Sequence, residues 1–276
     1  MSTWLITGCS TGLGRALATA VLEAGHDAVI TARDPQVLAE LGDSFPETAA
    51  VMPLDVRDHD QVVAAVEVAQ ERFGGVDVLV NNAGYGYRSA LEEGDPAEVE
   101  QLFATNFFGA VDIMKQVLPG MRERGAGTIV NVSSIAGRTS QPGSAYYSAT
   151  KFALEGASDA LSKEVGPLGV RVLIVEPGGF RTDFAGRSLA QSAEPIEDYA
   201  DTAGLRRKEN ATIDGRQPGD PARAAQAILQ AVASDSPPLR LLLGSDALRR
   251  AEGELAGQRA DLDAWVDLTR STDFPE

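Results

Sequence analysis

TWLITGCSTGLGRAL, residues 3–17, joins an apolar strand to a glycine-rich turn and the start of an amphipathic helix. Two chemistries share that outline. Gly8-Cys9-Ser10-Thr11-Gly12 matches G-x-S-x-G, the strand-to-helix elbow that presents a nucleophilic serine. Gly8, Gly12 and Gly14 also match a turn that cradles phosphates at a helix N-terminus. Ser10 attacks a substrate in the first case and sits beside a phosphate in the second.

The histidines decide between them. A serine elbow of this kind takes its acid and then its histidine base from later in the chain. The chain holds two histidines, His26 and His59, and none beyond residue 59. His26 is expected at a helix-to-strand turn after Gly25, at the wrong end of a sheet. His59, in Asp58-His59-Asp60, is expected to open a surface helix. The elbow also belongs deep in a sheet, whereas this turn follows the first strand. A hydrolase is therefore rejected. In the phosphate turn, Gly8 permits the bend, Gly12 lets a pyrophosphate approach backbone, and Gly14 permits close helix packing. The spacing is G-x-x-x-G-x-G rather than G-x-G-x-x-G, so the motif needs independent support.

The chain of 276 residues is 43% hydrophobic and 23% charged, the composition of a globular protein with a sizeable core. No apolar run approaches the ~18 residues that span a bilayer, and no basic-then-apolar leader precedes the first strand. No membrane association is expected. A net charge of −16 repels nucleic acid and anionic lipid, so no nucleic-acid partner is expected either. The one basic run, Arg206-Arg207-Lys208, reads as a solvated loop face. Cys9 is the only cysteine, which excludes an internal disulfide and a cysteine zinc site and fits the cytoplasm. No metal site is expected.

Apolar runs alternate with helical patterns along the chain. The runs are Trp4–Thr7, Ala28–Thr31, Ala50–Leu54, Val78–Asn81, Thr128–Val132, Val170–Val175 and Leu239–Leu243. They are short, continuous and rich in Val, Ile and Leu, as parallel strands buried on both faces should be. Helices are expected at Pro96–Arg124 (broken near Gly109), Ser144–Val165, Pro221–Ala233 and Ala247–Leu268, among others. The alternation predicts an α/β fold over residues 1–276: one doubly wound Rossmann domain with about seven mainly parallel strands. Residues 1–183 form the core and 219–276 the last strand and C-terminal helices. Residues 184–218 are polar and weakly periodic. They are expected to form a substrate lid, because they follow a strand end where open α/β sheets bind ligands.

Tyr146-Tyr147-Ser148-Ala149-Thr150-Lys151 supplies the support. Tyr147 and Lys151 are four apart and share a helix face, whereas Tyr146 points elsewhere. A lysine ammonium beside a phenol favours the phenolate. Bringing a tyrosine from about 10 to near neutrality requires about 4 kcal/mol, which a fixed charge in a partly desolvated site can supply. Such a group is a usable acid or base.

Taken together, these residues resemble a short-chain dehydrogenase/reductase. The matching pieces run in order: Thr7-Gly8-Cys9-Ser10-Thr11-Gly12-Leu13-Gly14, Leu54-Asp55-Val56, Asn81-Asn82-Ala83-Gly84, Asn106, Ser133-Ser134, Tyr147 with Lys151, and Pro177-Gly178 with Thr182. Thr7–Gly12 and Tyr147–Gly156 are similar to the branch that holds hydroxysteroid and retinol dehydrogenases. The resemblance implies a tetrad of Asn106, Ser134, Tyr147 and Lys151. Tyr147 would exchange a proton with the substrate oxygen, and Ser134 would hydrogen-bond that oxygen. Lys151 would lower the Tyr147 pKa and hold the nicotinamide ribose, and Asn106 would position Lys151 through a water. Ser133 and Ser134 point to opposite faces of a strand end, and family spacing favours Ser134.

The resemblance also implies a nicotinamide cofactor bound by Gly8, Ser10, Thr11, Gly12, Leu13 and Gly14, by Asp55 and Val56 at the adenine, and by Asn82, Ala83 and Gly84. Tyr147, Lys151, Pro177, Gly178 and Thr182 would complete the site. Asn81 would line the adenine-ribose side. An acid ending the second strand would select NAD. Here that position is Ala32, followed by Arg33, and Asp34-Pro35 looks like a helix cap with an N1 proline. Arg33 can pair with a 2′-phosphate, so NADP(H) is expected. Some NADP-dependent relatives carry a basic residue inside the turn, where this chain has Thr11.

Tyr85, Tyr87, Ile135, Gln141, Phe180 and Phe184 are candidate pocket walls. Mostly apolar, they suit a small uncharged carbonyl or alcohol substrate. A homodimer or homotetramer is expected through the helices Pro96–Arg124 and Ser144–Val165, with Trp265 anchoring the acidic tail on the body or on a partner subunit. Two other functions share parts of these motifs: a non-catalytic NADP-binding sensor or scaffold, and a sugar-nucleotide epimerase or dehydratase. The first usually lacks the Tyr or Lys. The second more often has different glycine spacing and a larger C-terminal domain.

Overall fold

Strand β1 (Thr3–Ile6) sends Trp4 and Ile6 into one apolar core and Leu5 into another. That two-sided burial is why its sequence is apolar throughout rather than alternating. A computed structural model describes residues 1–274 apart from 187 and 214. Its central sheet runs β3 (Ala49–Pro53), β2 (Asp27–Ala32), β1, β4 (Val78–Asn81), β6 (Gly127–Val132), β7 (Val170–Pro177) and β9 (Arg240–Leu243), numbered in chain order. Every neighbouring pair in it is parallel. The seven strands correspond to the seven apolar runs, with ends shifted by a residue or two.

Helices cover both faces. On one, α1 (Gly12–Glu23) packs against α8 (Pro221–Ala233) through Leu17, Val21, Ala224 and Ile228. On the other, α3 (His59–Phe73) and α5 (Gly109–Arg124) bury Val62, Ala65, Ile113 and Val117. The fold is a doubly wound Rossmann sheet. Its order reverses between β1 and β4, which opens a crevice at their C-terminal ends. The short α2 (Ala39–Ser44) follows β2. Asp34 caps the 3₁₀ turn Pro35–Leu38 by accepting from the Gln36 N–H, and Asp220 caps α8 in the same way.

The helix expected over Pro96–Arg124 comes in three pieces. These are α4 (Pro96–Phe103), a π-helical turn at Ala104–Phe108, and α5. The irregularity precedes Gly109, whose own backbone is helical. Gly109 is small for another reason: a Cβ there would meet the Val56 backbone oxygen at 2.7 Å.

Residues 184–218 hold more structure than their weak periodicity suggested. They contain β8 (Leu189–Gln191) and α7 (Ala203–Ile213). β8 pairs in parallel with β5 (Gly86–Arg88), a small sheet absent from the expectations. The buried Glu93 carboxylate fastens this segment, accepting from Arg207 and from the Ile196 N–H. The basic run is therefore not a solvated loop face. It lies on α7, with Arg207 turned in to Glu93 because that buried carboxylate requires a counter-charge.

α6 (Ala145–Val165) follows β6 and carries Tyr147 and Lys151. The last helix, α9 (Ser245–Arg270), buries only Ala247 and Ala251. Trp265 is 62% exposed, so it does not anchor the tail on the body. No helix among the described residues is long and apolar enough to cross a membrane.

Candidate active site

Thr7 follows β1 and clasps it to the end of β4. Its hydroxyl accepts from the N–H groups of Asn82 and Ala83 at 3.0 and 2.9 Å. Asn82 returns its amide to the carbonyls of Thr7 and Gly8. Between these bonds the chain turns at Gly8 with φ +70°, where a Cβ would come within 2.9 Å of the Ala83 Cα. Only glycine satisfies both the positive φ and the close approach. Gly14 stands behind the turn, where a Cβ would collide with the Asn82 amide and the Gly8 carbonyl. The Thr11 side chain makes no capping bond, so the first turn of α1 keeps N–H groups for a ligand.

A cavity of about 840 Å³ opens at this crevice. Gly8, Ser10, Thr11, Gly12, Leu13, Arg33, Asp55, Val56, Asn82, Ala83 and Gly84 line it. Ser134, Tyr147, Lys151, Pro177, Gly178 and Thr182 line it as well. The cavity thus collects the expected cofactor residues, except that Gly14 only packs behind it. Free helix N–H groups, a glycine floor and a cavity of this volume fit a dinucleotide. Asn81 does not reach the wall. It is buried and donates to the Asn131 side chain at 2.8 Å, which ties β4 to β6. Neither histidine lines the cavity. His26 bonds Ser2, and His59 bonds Asp112. Cys9 is buried behind the turn, and burial pushes its thiol up to about 12, which makes it inert.

The four residues expected to do the chemistry come from three elements. Tyr147 and Lys151 project from the first turns of α6, and Ser134 lies just after β6. Asn106 sits within the π-helical turn, a distortion common at functional sites. Burial raises the Tyr147 pKa above its ordinary value, while a hydrogen bond from Ser134 and the charge of Arg88 pull it down. Ser133 and Ser134 both line the cavity, and Ser134 is the one that acts on the phenol's pKa. The Ser133 hydroxyl is buried without a partner. Tyr146 points away and donates to the Leu91 carbonyl at 2.6 Å.

Lys151 is buried, which lowers its pKa to about 8. Its ammonium donates to the Val132 carbonyl at 2.9 Å. Asn106 brackets the Tyr85 backbone, accepting from its N–H at 3.0 Å and donating to its carbonyl at 2.9 Å. It is fully buried and reaches Thr150, the neighbour of Lys151.

Of the candidate walls, Tyr85, Ile135, Gln141, Phe180 and Phe184 line the cavity. Tyr87 does not. Its ring is buried, and its hydroxyl accepts from the Asp95 N–H. The wall residues that were not anticipated include Arg88 on β5, Arg206 on α7 and Arg250 on α9. Nothing local in the sequence marks them, because β5, α7 and the last helix bring them together from distant positions.

A family profile of short chain dehydrogenases matches residues 2–193. Among curated proteins, the chain is 38% identical to an oxidoreductase, BOA17, of Botryotinia fuckeliana, covering 96% of this chain and 97% of that one. It is 39% identical to a 3-ketodihydrosphingosine reductase of Bacteroides thetaiotaomicron, covering 87% of each. It is 36% identical to retinol dehydrogenase 8 of Homo sapiens, over 86% and 80%. A short-chain dehydrogenase from Streptomyces avermitilis superposes with a TM-score of 0.92 at 42% identity, over 99% and 100%. More distant structures include a Burkholderia cenocepacia short chain dehydrogenase with NADP, at 25% identity and TM-score 0.74 over 95% and 96%. Another is a Brucella melitensis 3-ketoacyl-(acyl-carrier-protein) reductase with NADH, at 26% and 0.74 over 88% and 96%. With the glycine turn, the crevice and Tyr147–Lys151 in one cavity, the chain belongs to the short-chain dehydrogenase/reductase family and has its oxidoreductase fold.

Proposed function

We propose that this protein is an NADP(H)-dependent oxidoreductase that interconverts a ketone or aldehyde with an alcohol. One observation carries the reading: Tyr147, Ser134 and Lys151 share a single cavity with the glycine turn. A bound nicotinamide supplies the hydride. Tyr147 supplies or removes the proton at the substrate oxygen. Its raised pKa keeps it protonated at neutral pH, which suits proton donation during carbonyl reduction. Ser134 donates a hydrogen bond to the same oxygen, where negative charge develops. Lys151, still largely cationic near neutrality and bonded to the Val132 carbonyl, would hold the ribose hydroxyls of a bound cofactor. Asn106 fixes the Tyr85 backbone and Thr150 around it.

Arg33 supports NADP(H). It is exposed on the cavity wall with no hydrogen-bond or ionic partner among the described residues. The nearby acid, Asp34, is occupied as a cap. A guanidinium there matches a 2′-phosphate, and the carboxylate whose charge it feels, Asp55, is held by Arg57. One of the solved relatives carries NADP and another NADH, so the preference rests on Arg33.

Assembly as a homodimer or homotetramer belongs to the same reading. Phe108 and Phe152 stand 60% and 47% exposed on the helical segments expected to pair. The single buried thiol suits a reducing compartment such as the cytoplasm.

The test follows nicotinamide absorbance with NADPH and NADH side by side across a ketone and aldehyde panel, for wild type and Tyr147→Phe. NADPH-selective turnover that disappears in the variant is expected. NADPH binding without turnover of any carbonyl would favour the sensor instead.

A further inference from the structure

Arg88, Arg206 and Arg250 converge on the wall beyond Tyr147, in a chain whose net charge is −16. Arg88 is 8% exposed. One of its terminal nitrogens donates to the Ser144 hydroxyl at 2.9 Å, one helical turn before Tyr147. Its Nε is buried without any partner. Arg250 reaches the same loop from α9 and donates to the Thr139 carbonyl at 3.3 Å. Arg206 enters from the lid helix, which rests on that loop where Ala203 meets Gly143. Its Nε is also buried and unpartnered.

Neutralisation of these charges is incomplete. Arg206 pairs with Glu209 at 3.1 Å. Arg250 feels Asp246, which spends one oxygen on the Gly179 N–H at 2.8 Å. Among the described residues, no carboxylate lies within 4.0 Å of the Arg88 or Arg250 guanidinium. Burial and the facing guanidiniums of Arg206 and Arg250 lower Arg88 to about 10, with Tyr147 opposing. Holding three like charges together in a partly desolvated cavity, with donors unmet, is costly in the free protein. A ligand anion would remove that cost.

We propose that the substrate carries a carboxylate, which Arg88 and Arg250 hold one helical turn from Tyr147 while Arg206 closes over it from the lid. This rests on the carbonyl–alcohol reading and replaces the uncharged substrate expected from the sequence. Three guanidiniums against the carboxylates of Glu209 and Asp246 leave one positive charge. A single carboxylate matches it better than a phosphate dianion, and it accepts two parallel bonds from one guanidinium fork. Ile135, Phe184 and Leu189 provide an apolar wall for the body of the molecule. The substrate class is therefore an oxo acid or hydroxy acid with an apolar body. The cofactor's phosphates do not compete, since on that reading the glycine turn and Arg33 hold them.

The test compares linear oxo acids of graded length with their methyl esters, on the NADPH complex of wild type, Arg88→Met and Arg250→Gln. The readout is the acid-to-ester ratio of kcat/KM, which cancels any general loss of activity in a variant. For one chain length the wild type should prefer the acid by about tenfold or more, chiefly through KM. Each variant should bring the ratio near one while ester turnover persists. Equal use of acid and ester at every length, or a ratio unchanged in both variants, overturns the anion site and leaves the reductase reading standing. If Arg88→Met fails to fold, the less buried Arg250 decides alone. Thermal melting of the NADPH complex reads the site apart from turnover. Acids that raise the wild-type Tm but not that of Arg250→Gln support the site even if neither acids nor esters turn over, an outcome that would defeat only the reductase reading. No difference between acid and ester overturns the site.

Discussion

The Lys151 ammonium lies 5.9 Å from the centre of the Tyr147 ring and donates to the Val132 carbonyl rather than to the phenol. The expected lysine-to-phenol effect is therefore not what sets the tyrosine in this structure. Burial raises the phenol, and Ser134 and Arg88 are the groups that oppose the rise. Lys151 would act on it only after releasing Val132, and the ribose hydroxyls of a bound cofactor offer the replacement acceptors.

Removing the phenol tests the proton step. Tyr147→Phe keeps the ring contact with Phe184, whose centroid is 5.7 Å away. kcat should fall by about 10²–10⁴, the usual worth of a positioned acid. NADPH affinity, read by fluorescence, should change little. A variant with near wild-type kcat would remove Tyr147 from the mechanism.

Cofactor choice should follow Arg33. Arg33→Asp removes the guanidinium and places a carboxylate where a 2′-phosphate would sit. The NADPH-to-NADH ratio of kcat/KM should fall by at least about tenfold and invert, as expected for loss of a charge-assisted contact plus new repulsion. An unchanged ratio would assign the preference elsewhere in the turn.

Lys151 also has a signature in stability. Its pKa in the folded protein, about 8, lies below its ordinary 10.5 because burial disfavours the ammonium. Between those values the unfolded chain binds more protons than the folded one. Stability of the cofactor-free protein should therefore rise with pH across that window. Lys151→Met should flatten this limb. Urea unfolding from pH 7 to 10 checks it, and parallel curves for the two proteins would contradict the assignment.

Glu93 should control the lid. Its carboxylate is buried and takes Arg207, the Ile196 N–H and the Ala90 N–H. Glu93→Gln leaves Arg207 without a counter-charge, a loss of about 3–5 kcal/mol when a buried pair is broken. Because the pair joins the lid to the body, the loss should appear as faster proteolysis within residues 192–207 and a higher substrate KM. Wild-type cleavage rates would show that the lid is held by other contacts.

Assembly is tested at Phe152. Phe152→Asp puts a charge on the exposed face of α6 without touching the core. Sedimentation should show monomers where the wild type forms dimers or tetramers. A wild-type monomer would overturn the oligomer itself.

The sequence by itself determined the sheet and the contents of the crevice. A strand buried on both faces must be apolar at every position, so Trp4-Leu5-Ile6 and its six counterparts could be read directly. The glycine turn and the Tyr147–Lys151 spacing were legible for a similar reason: each is a local geometry that few residue types permit. Only the tertiary structure decided what Asn81 and Tyr87 touch, since a polar side chain gives no sign whether it faces a cavity or a neighbouring strand. Asn81 ties two strands, and Tyr87 is buried beside Asp95. It also decided that Arg207 turns inward, because its partner Glu93 lies far away in sequence. The arginine cluster was hidden for the same reason. Arg88, Arg206 and Arg250 come from a short strand, the lid and the last helix, and long-range packing alone makes them one cluster.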